Sequence, residues 1–273
     1  MEVQRFSMAA VIAKKLQEAE VKFHQPGRVS AFAVDDLLPE EWALRIHSCF
    51  PEQGRMKLKN TIRERKHIAA QMNQFDPILE EAVYAFQQPE VVSAIAKITG
   101  METLEPDEEL YAGGISSMVQ GSYLKPHLDN SHDADQQRYR ALNLLYYVTP
   151  DWKPEYGGSL EVWDDGPSGK PRAFPCLFNR LVVMATNRTS WHSVNEITAD
   201  ERRCCVSNYF FSKVPVEAGD YFHATSFRGR PGEMLGDLIM RGDAMLRTAI
   251  LKTSGTLLFR NPHRYERDQG SQG

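Results

Sequence analysis

Tyr123-Leu124-Lys125-Pro126-His127-Leu128-Asp129 is a short stretch in which an imidazole and a carboxylate are separated by a single residue. In an extended chain, side chains at i and i+2 leave from the same face, so His127 and Asp129 can reach one point in space. A second imidazole, His192, follows closely behind the apolar run 181–185, and Arg203 comes next. Two imidazoles and a carboxylate can hold a non-haem ferrous ion by one face and leave the opposite face open. Either histidine alone reads more simply as an ordinary residue. The ordered set, spaced through one β-rich segment, favours a metal centre.

Working outward, the segment holding these residues breaks into short apolar, β-branched and aromatic runs at 115–123, 139–149, 159–163, 172–178, 181–185 and 204–212. Turn residues separate them, among them Pro150, Gly157-Gly158, Asp164-Asp165-Gly166-Pro167 and Asn179-Arg180. Many short strands with frequent turns predict a sandwich or barrel. The first hundred residues read mostly as helix: 8–20, 39–50 with proline in its first turn, and 76–98 with a break near Pro89. The 39–50 helix should bury Trp42, Leu44, Ile46 and Phe50, and a short strand is expected at 29–34. Beyond the core, 234–252 is expected to be helical and the polar tail after Arg264 frayed. The expectation is one domain, mainly β with flanking helices: a helical buttress over 1–110, a core over 111–212 and a helical extension over 213–273.

Strand alternation sorts the residues beside the metal set. In the run from Arg203 to Phe210, Arg203, Cys205, Ser207 and Tyr209 share one face; Cys204, Val206, Asn208 and Phe210 share the other. A buried arginine needs a partner, and the far carboxylate of a keto acid offers a bidentate one. Arg202 competes for this role but would face away. Tyr147 shares a face with Asn143 and Leu145; its hydroxyl either donates to the same carboxylate or bonds a backbone carbonyl in the core.

Three further pieces accompany the 123–129 stretch: the run 140–152, the run 156–163 that begins Tyr156-Gly157-Gly158, and Trp191-His192 followed by Arg203 and Tyr209-Phe210. Together they resemble the 2-oxoglutarate- and Fe(II)-dependent dioxygenases of the prolyl-4-hydroxylase type, over roughly residues 110–212. The resemblance implies a double-stranded β-helix (jelly-roll) core, with His127, Asp129 and His192 as catalytic iron ligands. It implies that Arg203 and Tyr147 bind the C5 carboxylate of 2-oxoglutarate. Fe(II), 2-oxoglutarate and O2 would be needed, with ascorbate as a candidate accessory. The implied reaction is hydroxylation of an unactivated C–H bond coupled to conversion of 2-oxoglutarate to succinate. Related halogenases carry a small residue in place of the carboxylate, so Asp129 favours hydroxylation. No counterpart is evident to one further tyrosine often found ahead of the His-x-Asp strand.

Composition bounds the rest. The 273 residues are 42% hydrophobic and 10% aromatic, as expected of one sizeable core, and the net charge of −4 gives no global case for nucleic acid or an acidic membrane. Four cysteines, with Cys204 and Cys205 adjacent, do not make a disulfide framework, which suits a reducing, cytoplasmic setting. The apolar run at 6–13 is too short for a spanning helix and lacks a cleavage pattern. The basic stretch 55–67 reads as a loop recruiting an anionic substrate or, more plainly, as a solvated helix face. Residues 222–231 either line a substrate mouth or turn the chain; His132 and Asp133 are candidates for a mobile rim. Three functions compete: hydroxylation of a small amino-acid- or sugar-derived molecule, favoured because the extension is long enough to cover the core; prolyl hydroxylation of a partner protein; and a non-catalytic binding module.

Overall fold

The apolar runs become strands of a computed structural model that describes residues 7–242 and Tyr265. In chain order the first elements are α1 (Met8–Glu18), β1 (Ala31–Val34), α2 (Glu40–Ser48), β2 (Lys57–Asn60), β3 (Glu64–Ala69), α3 (Pro77–Ala85) and α4 (Pro89–Thr99). The core adds β4 (Leu104–Pro106), β5 (Gly114–Met118), β6 (Tyr123–Leu128), β7 (Tyr139–Tyr147), β8 (Leu160–Val162) and β9 (Arg172–Phe174). It closes with β10 (Arg180–Ala185), β11 (His192–Val194), β12 (Arg203–Ser212) and the two-residue β13 (Ser226–Phe227). Among the described residues these strands form a single antiparallel sheet, ordered β1-β10-β7-β12-β5-β3-β6-β11-β8-β9, with β13 on β6, β2 on β3 and β4 on β12. The architecture is a mainly antiparallel near-barrel flanked by helices, consistent with a double-stranded β-helix.

Each face of the sheet follows from its sequence. On β7, Leu142, Leu144 and Tyr146 pack into a core shared with Ile12 and Leu16 of α1, Leu79 and Val83 of α3, and Ile95 of α4. The alternate residues Asn143 and Leu145 point into a cavity. Burying side chains such as Ile12 and Leu16 stabilises by about 1.5–3 kcal/mol each, which is how the helices hold the sheet from outside. The Ser7 hydroxyl caps α1 and the Asp76 carboxylate caps α3. The expected break at Pro89 separates α3 from α4, because proline starts a helix well and cannot continue one.

Several expectations change in the structure. The basic stretch 55–67 is neither helix nor free loop: it supplies β2 and most of β3, an antiparallel pair that joins the sheet through β5 and β6. Local composition suited a helix, but pairing with β5 and β6 decides otherwise. Leu44 is exposed, whereas Ile46 and Phe50 are buried as expected. Tyr265, on the stretch expected to fray, is buried; its hydroxyl donates to Glu80 and its ring lies 6.4 Å from Tyr84. The expected helix at 234–252 is seen over 234–242; its remainder lies outside the described residues. His132 and Asp133 are buried, and Asp133 accepts from the Arg138 guanidinium at 2.7 Å. All four cysteines are free, and among the described residues no helix is long and apolar enough to cross a membrane.

The Gly157-Gly158 turn between β7 and β8 depends on glycine. Gly157 has φ +80°, and a Cβ there would lie 2.0 Å from the Glu196 carbonyl oxygen. Gly157→Ala should therefore destabilise the protein by at least about 2 kcal/mol, seen as a lowered thermal midpoint; an unchanged midpoint would contradict this packing.

Candidate metal centre and its cavity

β6 and β11 are antiparallel neighbours, and their register sets His127 directly opposite His192. The register then slips, so that Val194 faces Leu124 and β6 carries one extra residue. Pro126 falls in this bulge, where its missing N–H is tolerated. Asp129 follows immediately after the strand. Its Oδ1 lies 3.6 Å from His127 Nε2 and its Oδ2 3.6 Å from His192 Nε2. One ligand atom from each of the three residues falls within 4.8 Å of the others.

The histidine tautomers follow from their outer contacts. His127 Nδ1 sits 2.9 Å from the Lys125 carbonyl and His192 Nδ1 3.0 Å from the Ser190 carbonyl. A carbonyl only accepts, so both Nδ1 atoms carry hydrogen and both Nε2 lone pairs point toward Asp129. That is the state a metal requires of imidazole ligands.

A buried carboxylate between two imidazoles needs compensation. The Arg140 guanidinium provides it, with Nη1 3.2 Å from Asp129 Oδ2, while Asn143 Nδ2 donates to the same oxygen at 2.8 Å. Burial pushes the Asp129 carboxyl upward, yet the Arg140 guanidinium holds it well below the usual carboxylate range. Burial, with His127 adding to it, lowers His192 from its ordinary 6.5 to about 3, which keeps the imidazole neutral and ready to ligate. Arg140 reaches this place through a second bulge. Phe210 pairs with Leu142 but Phe211 pairs with Arg140, leaving Ala141 as the extra residue of β7 and reversing the alternation beyond it. The guanidinium is flanked by the Tyr209 ring, 4.5 Å away.

These groups open onto a cavity of about 500 Å³. Arg203 is buried on its wall, donating from Nη1 to the Gly158 carbonyl at 2.6 Å, while its Nε has no partner. Tyr147 stands against it, fully buried, with the guanidinium 5.2 Å from its ring and its hydroxyl unpartnered. Tyr147 is outside the residues that line the cavity, one layer behind Arg203. Arg202 faces away and donates to the Pro51 carbonyl. Thr225 and Phe227 also line the cavity, so the stretch 222–231 forms part of the mouth. β13 pairs with β6, and Phe227 stacks on the His127 ring with centroids 5.2 Å apart. Arg140 and Asn143 were visible in the sequence only as members of a strand; the Ala141 bulge concealed Arg140. The tyrosines lining the cavity are Tyr111 and Tyr209; Tyr111 lies ahead of the His-x-Asp strand, a position at which no counterpart was evident in the sequence.

Residues 113–211 match the 2OG-Fe(II) oxygenase superfamily, and the His127, Asp129 and His192 triad within them is intact. Among curated proteins, the chain is 26% identical over 123 residues to a mouse prolyl 3-hydroxylase, OGFOD1, covering 39% of this chain and 22% of that protein. The Xenopus laevis counterpart is 30% identical over 84 residues, covering 29% of this chain and 16% of that one. The chain thus spans about a fifth of the length of these relatives. Among solved structures, a prolyl 4-hydroxylase from Phytophthora capsici superposes with a TM-score of 0.54 at 16% identity, over 89% of this chain and 76% of that one. A Pseudomonas putida prolyl-4-hydroxylase gives 0.51 at 16% identity, over 74% and 98%. Residues 113–211 thus carry the likeness to the 2OG-Fe(II) oxygenase superfamily, and the likeness to the two solved structures is one of fold.

Two outcomes follow from the geometry. Asn143→Ala should weaken Fe(II) binding by about 10–100-fold in an anaerobic titration, because the carboxylate loses its orienting donor. In metal-free protein, unfolded His192 takes up a proton below pH 6.5 whereas folded His192 resists until about pH 3. Stability should therefore fall as the pH drops from 6.5, by up to about 1.4 kcal/mol per unit from this residue. His192→Gln should flatten that slope in denaturant titrations; an unchanged slope would contradict the assignment.

Proposed function

We propose that this 2OG-Fe(II) oxygenase hydroxylates a C–H bond of a small molecule, with His127 Nε2, the Asp129 carboxylate and His192 Nε2 holding Fe(II). Arg203 binds the far carboxylate of 2-oxoglutarate. Its buried, unpartnered Nε supports this role, since an orphan guanidinium N–H is costly unless an anion meets it. Tyr147 supplies the second unpartnered donor beside Arg203, as a contact that forms on co-substrate binding or as the support that holds the guanidinium. When bound, ferrous iron with 2-oxoglutarate and O2 supplies the oxidant that replaces C–H by C–OH, with succinate and CO2 as co-products.

The protein's own part is positional. Arg140 and Asn143 hold Asp129 ionised and aimed, the Nδ1 bonds fix the two imidazoles, and Phe227 shields His127 from solvent. The observation that carries the small-molecule reading is the roof over the cavity. Thr225 and Phe227 line it from the segment after the core, and that segment is tied down by Arg230 to Glu161 at 2.6 Å and by Glu233 to Lys125. A volume of about 500 Å³ is in the range of small-ligand pockets. Prolyl hydroxylation of a partner protein is the second reading, favoured by the names of the relatives the core matches. Four free thiols suit the cytoplasmic setting that goes with either.

With Fe(II), O2 and 2-oxoglutarate the protein should release succinate. Arg203→Met should raise the KM for 2-oxoglutarate by about tenfold or more, with a smaller change in kcat. An unchanged KM would remove Arg203 from the co-substrate site. A proline-containing peptide accepted in preference to every small molecule tested would replace the first reading by the second.

A further inference from the structure

The β2–β3 pair builds one wall of the cavity, and strand alternation makes that wall basic. Lys57 and Lys59 share a face of β2, and across the pair Lys59 stands directly opposite Lys66. Glu64 and Ile68 lie on the same face of β3, and all five residues line the cavity. Arg55, just before β2, lines it as well. Arg140 and Arg203 add two more cations, against Glu64 and Asp129 as the carboxylates of the lining. In a chain of net charge −4 this runs against the general balance.

The two deeper cations have assigned partners, Asp129 for Arg140 and the co-substrate for Arg203. Lys59 and Lys66 do not balance against Glu64. Lys66 Nζ lies 3.0 Å from Glu64 and Lys59 Nζ 3.8 Å from the same carboxylate, so two ammonium groups share one anion. Like charges directly opposite on paired strands are destabilising, and burial holds the Lys59 ammonium below its ordinary range, with Lys66 and Lys57 adding and Glu64 opposing. The wall shares its cavity with the metal centre: Lys59, Glu64 and Lys66 line the same space as His127, Asp129, His192 and Arg203. A fold gains nothing by holding Lys59 against Lys66 inside a cavity unless an anion completes the set.

Resting on the oxygenase reading, we infer that the substrate is a small anionic molecule whose phosphate or carboxylate group docks on Lys59 and Lys66 while its oxidised carbon faces the iron. The wall runs from a rim at exposed Lys57 and part-exposed Lys59 down to Lys66 and Glu64. An anion held by both Lys59 and Lys66 sits at the sheltered end of that wall, which favours a small molecule over an acidic peptide. Lys66 is only 22% exposed at its side chain.

Lysine reductive methylation, read by mass spectrometry on anaerobic protein saturated with Fe(II) and 2-oxoglutarate, tests this with inorganic phosphate as the probe. Phosphate should slow labelling of Lys59 and Lys66 and leave the exposed Lys14 of α1 unaffected. The protecting concentration should rise with ionic strength. In Lys66→Gln, protection of Lys59 should need about tenfold more phosphate, the value of one charge-assisted hydrogen bond. Equal labelling of Lys59 and Lys66 with and without phosphate, or protection indifferent to Lys66→Gln, would overturn the inference. Protection by an oligoglutamate peptide equal to that by phosphate, at matched anionic groups, would overturn the small-molecule assignment in favour of an acidic peptide. The visible charge-transfer band of bound 2-oxoglutarate, recorded on the same samples, separates the two levels. Its absence from wild-type protein would remove the oxygenase reading; its presence with unprotected lysines would remove only this inference. Its persistence in Lys66→Gln shows that the variant is folded.

Discussion

The structure turns on a carboxylate that is buried and ionised at once. Asp129 is expensive to place between two imidazoles unless cations and donors surround it, and the surrounding chain is arranged to supply them. Arg140 approaches to 3.2 Å and Asn143 donates to the same oxygen. Each contribution depends on strand register. His127 faces His192 because β6 and β11 pair in that register, and Arg140 faces Asp129 because β7 carries an extra residue at Ala141. A one-residue slip in either pair would turn a ligand or its counterion out of the site. The helices α1, α3 and α4 matter to the chemistry because their packing against β7 holds that register.

Around this centre, two segments from outside the central strands decide what can enter. The 226–233 stretch comes from beyond β12, pairs with β6 and stacks Phe227 on a metal-site imidazole. The β2–β3 pair comes from before the core, shares the same edge of β6 with β13 and lays lysines along the cavity. The core thus holds the candidate metal ligands, and the added segments shape and charge the space before them. Specificity residues are expected on such additions, while the scaffold holds the reactive groups.

Much of this was legible in the sequence, for reasons that can be named. His127, Asp129 and Arg203 lie on regular strands or at their ends, where a period of two is enough to predict the facing side. The Arg203 and Arg202 choice follows from that rule, and the structure places Arg203 on the cavity wall and Arg202 away from it. The missed features are those that depend on irregularity or on distant pairing. Arg140 lies beyond a bulge that reverses the alternation, so counting along β7 from Asn143 assigns it to the wrong face. The stretch 55–67 has the composition of a solvated helix; its partners are β5 and β6, far along the chain, and only pairing with them makes it a strand pair. Leu44 was placed for burial by helical spacing, yet α2 buries a narrower stripe through Ala43 and Ile46.

The central claim is that three side chains on a paired-strand register hold ferrous iron with an open face for 2-oxoglutarate. Anaerobic titration with Fe(II) followed by 2-oxoglutarate tests it most directly. A weak visible metal-to-ligand charge-transfer band should appear at one equivalent of each and be absent from His127→Ala. A folded wild-type protein that binds Fe(II) but shows no such band, or a band that survives the loss of His127, would contradict the account.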